Sequence, residues 1–161
     1  MLRFISYDIV FQEVPNEVTL AINITGCPNR CKGCHSPHLM EESGYILDEN
    51  ALIGLLEKYG NSITCVCFMG GDSSPRDVNN LAAFSHKYTK GVLKTAWYSG
   101  KSQLSSECFI SNFNYIKLGP YMEEFGGLDN PNTNQRFYQI VEGKMVDITH
   151  CFDKKTTFGA I

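Results

Sequence analysis

The chain has 161 residues, of which 43% are hydrophobic and 19% are charged, and its net charge is -3. This length and composition are typical of one globular domain, so we expect residues 1–161 to form a single domain. The small acidic excess provides no positive field for a phosphate backbone, which argues against a nucleic-acid partner. Asp8 and Glu13 interrupt the N-terminal segment where a signal peptide or membrane helix would be apolar. We therefore predict a cytoplasmic protein without a membrane partner.

Apolar, β-branched segments alternate with helical patterns along the chain. Strands are predicted at 17–25, 63–69, 92–98 and 114–118, and helices at 48–60 and from Pro75 to about Lys90. This order predicts an α/β fold of βαβ units with a parallel sheet. A complete eight-fold barrel takes about 250 residues, so we expect a partial, incomplete β/α barrel. Two short strands around Glu142 and Gly143 predict a C-terminal hairpin that covers a sheet edge.

Seven cysteines are many for a chain of this size, and their odd number and clustering do not suit a disulfide framework. Cys27, Cys31 and Cys34 form a C-x3-C-x2-C pattern directly after the first predicted buried strand. Three thiolates bind three irons of a [4Fe-4S] cluster and leave the fourth iron open to a small molecule. The alternative is a structural zinc site with His35 or His38 as the fourth ligand. The spacing leaves both sites open, and neither histidine is assigned a role.

The cysteine triplet, followed by a Gly-Gly-acidic turn after the second predicted strand, resembles the radical S-adenosylmethionine (SAM) superfamily. More narrowly, the segments TGCPNRCKGCHSPH, MGGD, AWYSG, YIKLGPY and PNTNQRF are similar to activating proteins of the anaerobic ribonucleoside-triphosphate reductase. The likeness covers about residues 8–141. It implies a partial barrel of the radical SAM type that holds one [4Fe-4S] cluster, with SAM on the open iron.

The resemblance also implies an activity. Reductive cleavage of SAM would give a 5'-deoxyadenosyl radical, which removes a hydrogen from a glycine in the large subunit of the reductase and leaves a glycyl radical. The chain would then be an oxidoreductase with no catalytic side chains beyond the cluster ligands. Because such a cluster is reduced at low potential, we expect a flavodoxin or a ferredoxin as the electron donor.

Two residues depart from the wider superfamily pattern. Gly33 stands where many radical SAM enzymes have an aromatic residue before the third cysteine, and it resembles the short-loop pattern of the ribonucleotide reductase activators, which favours them as the family. Asp72 ends a turn that more often ends in glutamate. The shorter carboxylate leaves a direct contact between Asp72 and the SAM ammonium group open.

Residues after the predicted strands are the candidates for SAM contacts: Gly70, Gly71, Asp72, Ser99 and Lys117. The two glycines would let backbone carbonyls approach the ammonium group of SAM, and Asp72 would supply charge. Ser99 would bond the ribose or the carboxylate, and Lys117 would pair with the carboxylate. Each residue also has an ordinary structural explanation, because glycine, serine and aspartate are frequent in turns and a lysine at a strand end is commonly solvated.

Other motifs are less specific. The resemblance places the polar loop Asn132, Thr133, Asn134 and Gln135 near the site without individual roles. Cys65 and Cys67 lie two apart in a predicted strand, so they share a face and are expected to be buried packing residues. Tyr121 and Phe125 are candidates for contact with the partner. Two other hypotheses remain: an activator of another glycyl radical enzyme of the formate-lyase type, and a non-catalytic zinc-binding interaction module.

Overall fold

The computed structural model describes residues 1–153, and an open eight-stranded sheet organises them. The strands are β1 (Leu2–Val10), β2 (Thr19–Ile24), β3 (Tyr45–Leu47), β4 (Cys65–Met69), β5 (Lys94–Tyr98), β6 (Tyr115–Leu118), β7 (Arg136–Val141) and β8 (Lys144–Asp147). The helices are α1 (Glu49–Tyr59) and α2 (Pro75–Tyr88). The strand order in the sheet is β3-β1-β2-β4-β5-β6-β7-β8, so β3 and β8 form its two edges.

The sheet is mixed. β2, β4, β5 and β6 are parallel neighbours, whereas β1, β3, β7 and β8 pair in the antiparallel direction. The prediction of an α/β fold is confirmed, and the four strands predicted to lie parallel, β2, β4, β5 and β6, do so. The sheet as a whole is nevertheless mixed, because the predicted hairpin β7–β8 and the unpredicted strands β1 and β3 pair in the antiparallel direction. Antiparallel neighbours need no crossover helix, so short connections can add such strands to either side of a parallel centre.

The expected alternation of strands and helices also fails between β5 and β6. This connection is a loop that includes a short 3-10 turn, Ile110–Asn112. Asn79 of α2 is buried, and its side-chain oxygen accepts hydrogen bonds from the Phe109 backbone N–H at 2.9 Å and the Asn112 side chain at 3.0 Å. Hydrogen bonds to α2 thus hold this crossover in place of a third helix.

The helix α1 forms as its sequence predicts. The side chain of Asp48 caps its N-terminus by accepting a hydrogen bond from the Ala51 N–H at 2.9 Å, which is typically worth about 1 kcal/mol. Leu52, Leu55 and Leu56 form its buried face. No helix among residues 1–153 is long and apolar enough to cross a bilayer.

The two faces of the parallel strands bury different side chains, because successive residues of a strand point in opposite directions. The large residues Phe68, Trp97 and Ile116 belong to the main core, which includes residues of both helices. The opposite face carries the smaller Cys65 and Cys67 together with Ala96, Tyr115 and Phe137. Both cysteines are fully buried, which confirms their assignment as packing residues.

The C-terminal hairpin is confirmed. β7 pairs with β6 and β8 pairs with β7, so the hairpin covers the β6 side of the parallel strands. Glu142 and Gly143 form its two-residue turn with φ values of 50° and 74°. Two consecutive positive φ angles are the signature of a type I′ turn, whose twist matches that of the two flanking strands.

Candidate functional site

The cysteine loop, residues 25–43, follows the carboxyl end of β2. Its three cysteines, Cys27, Cys31 and Cys34, are half-buried and carry free thiols. The loop is closed by backbone hydrogen bonds from the Cys27 N–H to the Leu39 carbonyl at 3.0 Å and from the Cys34 N–H to the Cys31 carbonyl at 3.2 Å. The Ser36 N–H donates to the sulfur of Cys34 at 3.4 Å. The three thiols therefore lie in one folded loop at the carboxyl end of the parallel strands.

Gly70 and Gly71 form the turn after β4, with φ values of 103° and 95° that other residues adopt only with strain. A Cβ at Gly71 would also lie 2.5 Å from the Val78 side chain. The Gly70 carbonyl accepts a hydrogen bond from the Trp97 indole at 2.7 Å, and the Gly71 carbonyl accepts one from the Ser74 N–H at 3.0 Å. Each carbonyl oxygen keeps a second lone pair for a ligand.

Asp72 is buried and connects three segments of the chain. One of its oxygens, Oδ1, accepts a hydrogen bond from the Ser99 hydroxyl at 2.6 Å. The other, Oδ2, accepts one from the Asn29 side chain and one from the Gly100 N–H, both at 2.7 Å. The carboxylate thus joins the cysteine loop to the turn that follows β5. Asp72 and Ser99, both predicted site residues, are in direct contact.

Lys117, the last predicted contact, is buried rather than solvated. Its ammonium group donates to the Ser99 carbonyl at 3.2 Å and to the Gly119 carbonyl at 2.7 Å. Burial lowers the pKa of Lys117 from 10.5 to about 8, although the negative charges of Asp72 and of the three cysteines of the loop act in the opposite direction. The site therefore contains a buried lysine at the end of β6 and a buried carboxylate after β4, on either side of the end of β5.

The sequence interpretation missed Asn29. This residue lies between Cys27 and Cys31, and its side-chain nitrogen contacts both Asp72 and the Cys27 sulfur. The sequence feature that could have indicated Asn29 as a site residue is its position, as a polar amide, inside the C-x3-C segment. The sequence alone could not show that this amide faces a carboxylate 43 positions away.

Two further contacts connect the cysteine loop to the segment after β6. The ring of His35 lies 4.8 Å from that of Tyr121, measured between centroids. A Cβ at Gly33 would lie 2.3 Å from the Glu123 carboxylate, so a larger residue before the third cysteine would displace this side chain. Phe125 is exposed and His38 lies in a short 3-10 turn.

The polar loop 132–135 is only partly buried. Thr133 and Gln135 are buried, and Asn132 is exposed. The Asn134 amide donates to the Pro120 carbonyl at 3.0 Å, while its own oxygen is buried and has no hydrogen-bond partner within residues 1–153. The loop thus packs against the segment after β6, and none of these contacts defines a catalytic role.

The comparisons with known proteins add no assignment. No family model, curated protein or solved structure matches the chain. In the part of the chain that the structure describes, no group of three His, Cys, Asp or Glu side chains is arranged to hold a metal ion.

Proposed function

We propose that this chain is a radical SAM enzyme that activates the anaerobic ribonucleoside-triphosphate reductase. One observation carries the proposal: Asn29 and Asp72 join the cysteine loop to the turn after β5 by hydrogen bonds of 2.7 Å. Three free thiols, a buried carboxylate and a buried lysine consequently lie together at the carboxyl ends of parallel strands. In open α/β sheets this end is where ligands bind.

The donor set fits an iron–sulfur cluster. Thiolates are the ligands that such clusters prefer, and Cys27, Cys31 and Cys34 are free and partly accessible. Ligands of one metal ion must converge on a point, whereas the thiolates of a cluster each reach a different iron. A loop with three free, partly accessible cysteines is therefore compatible with a [4Fe-4S] cluster held by three cysteines.

The charges also fit the amino-acid part of SAM, which carries one ammonium and one carboxylate group. An ionised carboxylate has about four acceptor sites, and Asp72 uses three of them on Asn29, Ser99 and Gly100. A lysine ammonium has three donors, and Lys117 uses two on backbone carbonyls. One acceptor and one donor are left, which suits the ammonium and the carboxylate of SAM respectively.

When bound, the cluster and SAM would supply the reductive cleavage and the hydrogen abstraction from a glycine of the reductase. The chain's residues bind, orient and protect the reacting groups, which is the usual share of a protein in a cofactor enzyme. Gly70 and Gly71 leave room for close approach, and the partial barrel of radical SAM type would be open at one side for the glycine loop of the large subunit. A flavodoxin or a ferredoxin would deliver the electron.

The test uses protein reconstituted with iron and sulfide under anaerobic conditions. We expect about four irons per chain, formation of 5'-deoxyadenosine from SAM with a strong reductant, and a glycyl radical signal on the reductase large subunit. Cys31→Ala should lose cluster and cleavage together, whereas Cys151→Ala, at an exposed cysteine outside the loop, should retain both.

Two results would contradict the proposal at different levels. SAM cleavage without a radical on the reductase would redirect the search to another glycyl radical enzyme. One tightly bound zinc per chain without SAM cleavage would contradict the proposed enzyme and support the alternative, a zinc-binding interaction module.

A further inference from the structure

We infer that Asn29 is a positioning residue that raises the reduction potential of the cluster by donating a hydrogen bond to a ligand sulfur. The inference rests on the proposed function, because it concerns the same cysteine loop. It adds a residue that does not ligate iron and is not among the SAM contacts predicted from the sequence.

One nitrogen atom makes both contacts. Asn29 Nδ2 lies 2.7 Å from Oδ2 of Asp72 and 3.6 Å from the sulfur of Cys27. A primary amide has two hydrogens, so the group can donate to both acceptors at once. The 3.6 Å separation is in the range of hydrogen bonds to sulfur, whose radius exceeds that of oxygen.

The orientation of the amide is fixed by chemistry. An ionised carboxylate accepts hydrogen bonds and cannot donate, so the nitrogen of Asn29, rather than its oxygen, must face Asp72. The same nitrogen then faces the Cys27 sulfur. The carboxylate of Asp72 therefore orients the Asn29 amide so that an N–H group, and not the amide oxygen, faces the Cys27 sulfur.

The position of the amide is fixed by packing. A Cβ at Gly100 would lie 2.4 Å from Asn29 Nδ2 and 3.4 Å from Asp72 Oδ2. The Gly100 N–H donates to the same Asp72 oxygen. The absence of a side chain at Gly100 makes room for the amide, so this contact is a built feature of the loop rather than a freely rotating surface side chain.

The electrostatic consequence has a definite sign. Reduction adds negative charge to the cluster and its thiolates, and an N–H dipole that points at a ligand sulfur stabilises this charge. Hydrogen bonds to the sulfurs are among the factors that set cluster potentials. Asn29 should therefore make the cluster easier to reduce, and its removal should make the midpoint potential more negative.

The experiment is a redox titration followed by electron paramagnetic resonance on the reconstituted full chain. Asn29→Ala should contain as much iron and sulfide as the unaltered protein but show a more negative midpoint potential. Asn61→Ala, which removes an exposed amide in the turn after α1, should leave the potential unchanged. An unchanged potential in a fully loaded Asn29→Ala protein overturns the inference.

A second variant applies if Asn29→Ala fails to load. Gly100→Ala keeps the amide but displaces it, so we expect a potential shift in the same direction. A fully loaded Gly100→Ala protein with an unaltered potential would refute the inference.

The apoprotein provides a measurement that needs no cluster. Nuclear magnetic resonance should find the Asn29 side-chain amide protected from exchange, and Asp72→Ala should abolish this protection. Rapid exchange in the unaltered chain would overturn the inference. If the unaltered chain itself takes up no cluster, the proposed function fails, which is distinct from failure at Asn29.

Discussion

The two ends of the parallel strands each hold a buried carboxylate, and the two carboxylates are partnered differently. Glu17 lies at the amino end, just before β2, and Asp72 lies at the carboxyl end, just after β4. Each accepts three hydrogen bonds from other parts of the chain. Glu17 stabilises the fold, whereas Asp72 is the carboxylate that we propose faces a ligand.

At the amino end the charges are paired directly. Glu17 accepts hydrogen bonds from Thr64 immediately before β4, from Lys94 at the start of β5 and from Tyr115 at the start of β6. Burial alone would raise the pKa of Glu17, but the hydrogen bonds from Lys94, Thr64 and Tyr115 outweigh it, so the pKa is lowered. This network joins all four parallel strands and needs no ligand.

At the carboxyl end of the strands, the ammonium group of Lys117 does not form a hydrogen bond with the carboxylate of Asp72. Lys117 donates to the carbonyls of Ser99 and Gly119, and the donors to Asp72 are neutral groups. A buried lysine that has only neutral carbonyls as direct partners is costly, as the lowered pKa of Lys117 indicates. Binding of the doubly charged ligand proposed above would offset this cost to stability.

The largest effect should come from Lys117. Its pKa is about 8 in the folded protein and 10.5 when exposed, so between these pH values the unfolded chain retains a proton that the folded chain has released. The contribution of Lys117 to the free energy of unfolding should then rise with pH across this window, by about 3 kcal/mol for a shift of this size. The buried thiols of Cys65 and Cys67, whose pKa values are raised, act in the opposite direction, but they do so equally in the unaltered protein and in a Lys117 variant. Lys117→Met should abolish this rise. Urea unfolding of both reduced apoproteins from pH 7 to 10.5 measures the difference, and parallel pH curves would contradict the prediction.

Glu17→Gln should produce the next effect, a loss of about 2 kcal/mol at neutral pH, because Lys94 and Tyr115 lose an anionic acceptor. The folded pKa of Glu17 is depressed, so its contribution is complete above the usual value of 4.5 and is lost as the pH falls through the lower, folded value. The difference between the two proteins should shrink over that acidic range. A difference that is constant with pH would show that the carboxylate charge does not contribute.

Asp72→Asn should lower SAM affinity more than it lowers the stability of the fold. It removes the negative charge but keeps one acceptor oxygen, and we expect at least a roughly tenfold loss of SAM affinity. Asp147→Asn, in β8 at the sheet edge, is the control and should leave affinity unchanged. Anaerobic calorimetry on the reconstituted proteins measures both. Equal affinities would remove Asp72 from the SAM site.

Apolar spacing and capping residues correctly predicted the helices and strands whose formation depends on neighbouring residues in the sequence. Helix α1, with its Asp48 cap, and the strand cores of β2 and β4 lie where the apolar spacing placed them. β3 has three residues and two of them are exposed, so no periodicity marks it. The direction of β1 depends on pairing with β2, which no local pattern encodes.

The site shows the same contrast between features set by local sequence and features set by contacts between distant segments. Asp72, Ser99 and Lys117 were predicted because they lie at or just after the carboxyl ends of strands, and they do lie near one another. That Lys117 is buried was not predictable, because its burial depends on contacts with the turns after β5 and β6. Asn29 was missed for the same reason, since its partner Asp72 belongs to another strand end.

The smallest effects come from a matched pair of hydroxyl deletions, one at each end of the sheet. Thr64→Val removes a donor to Glu17, and Ser99→Ala removes a donor to Asp72. Each should lower the free energy of unfolding by about 1.5 kcal/mol, because the carboxylate loses one of its three hydrogen bonds and a backbone N–H, of Val18 or of Lys101, loses its hydroxyl acceptor. SAM affinity should fall by roughly a few fold in Ser99→Ala and stay unchanged in Thr64→Val. Only Ser99→Ala removes a hydrogen bond that holds Asp72, the carboxylate proposed to face the ligand. Equal losses of affinity in the two variants would mean that the two ends are coupled through the strands, and the separation between a stabilising end and a binding end would not hold.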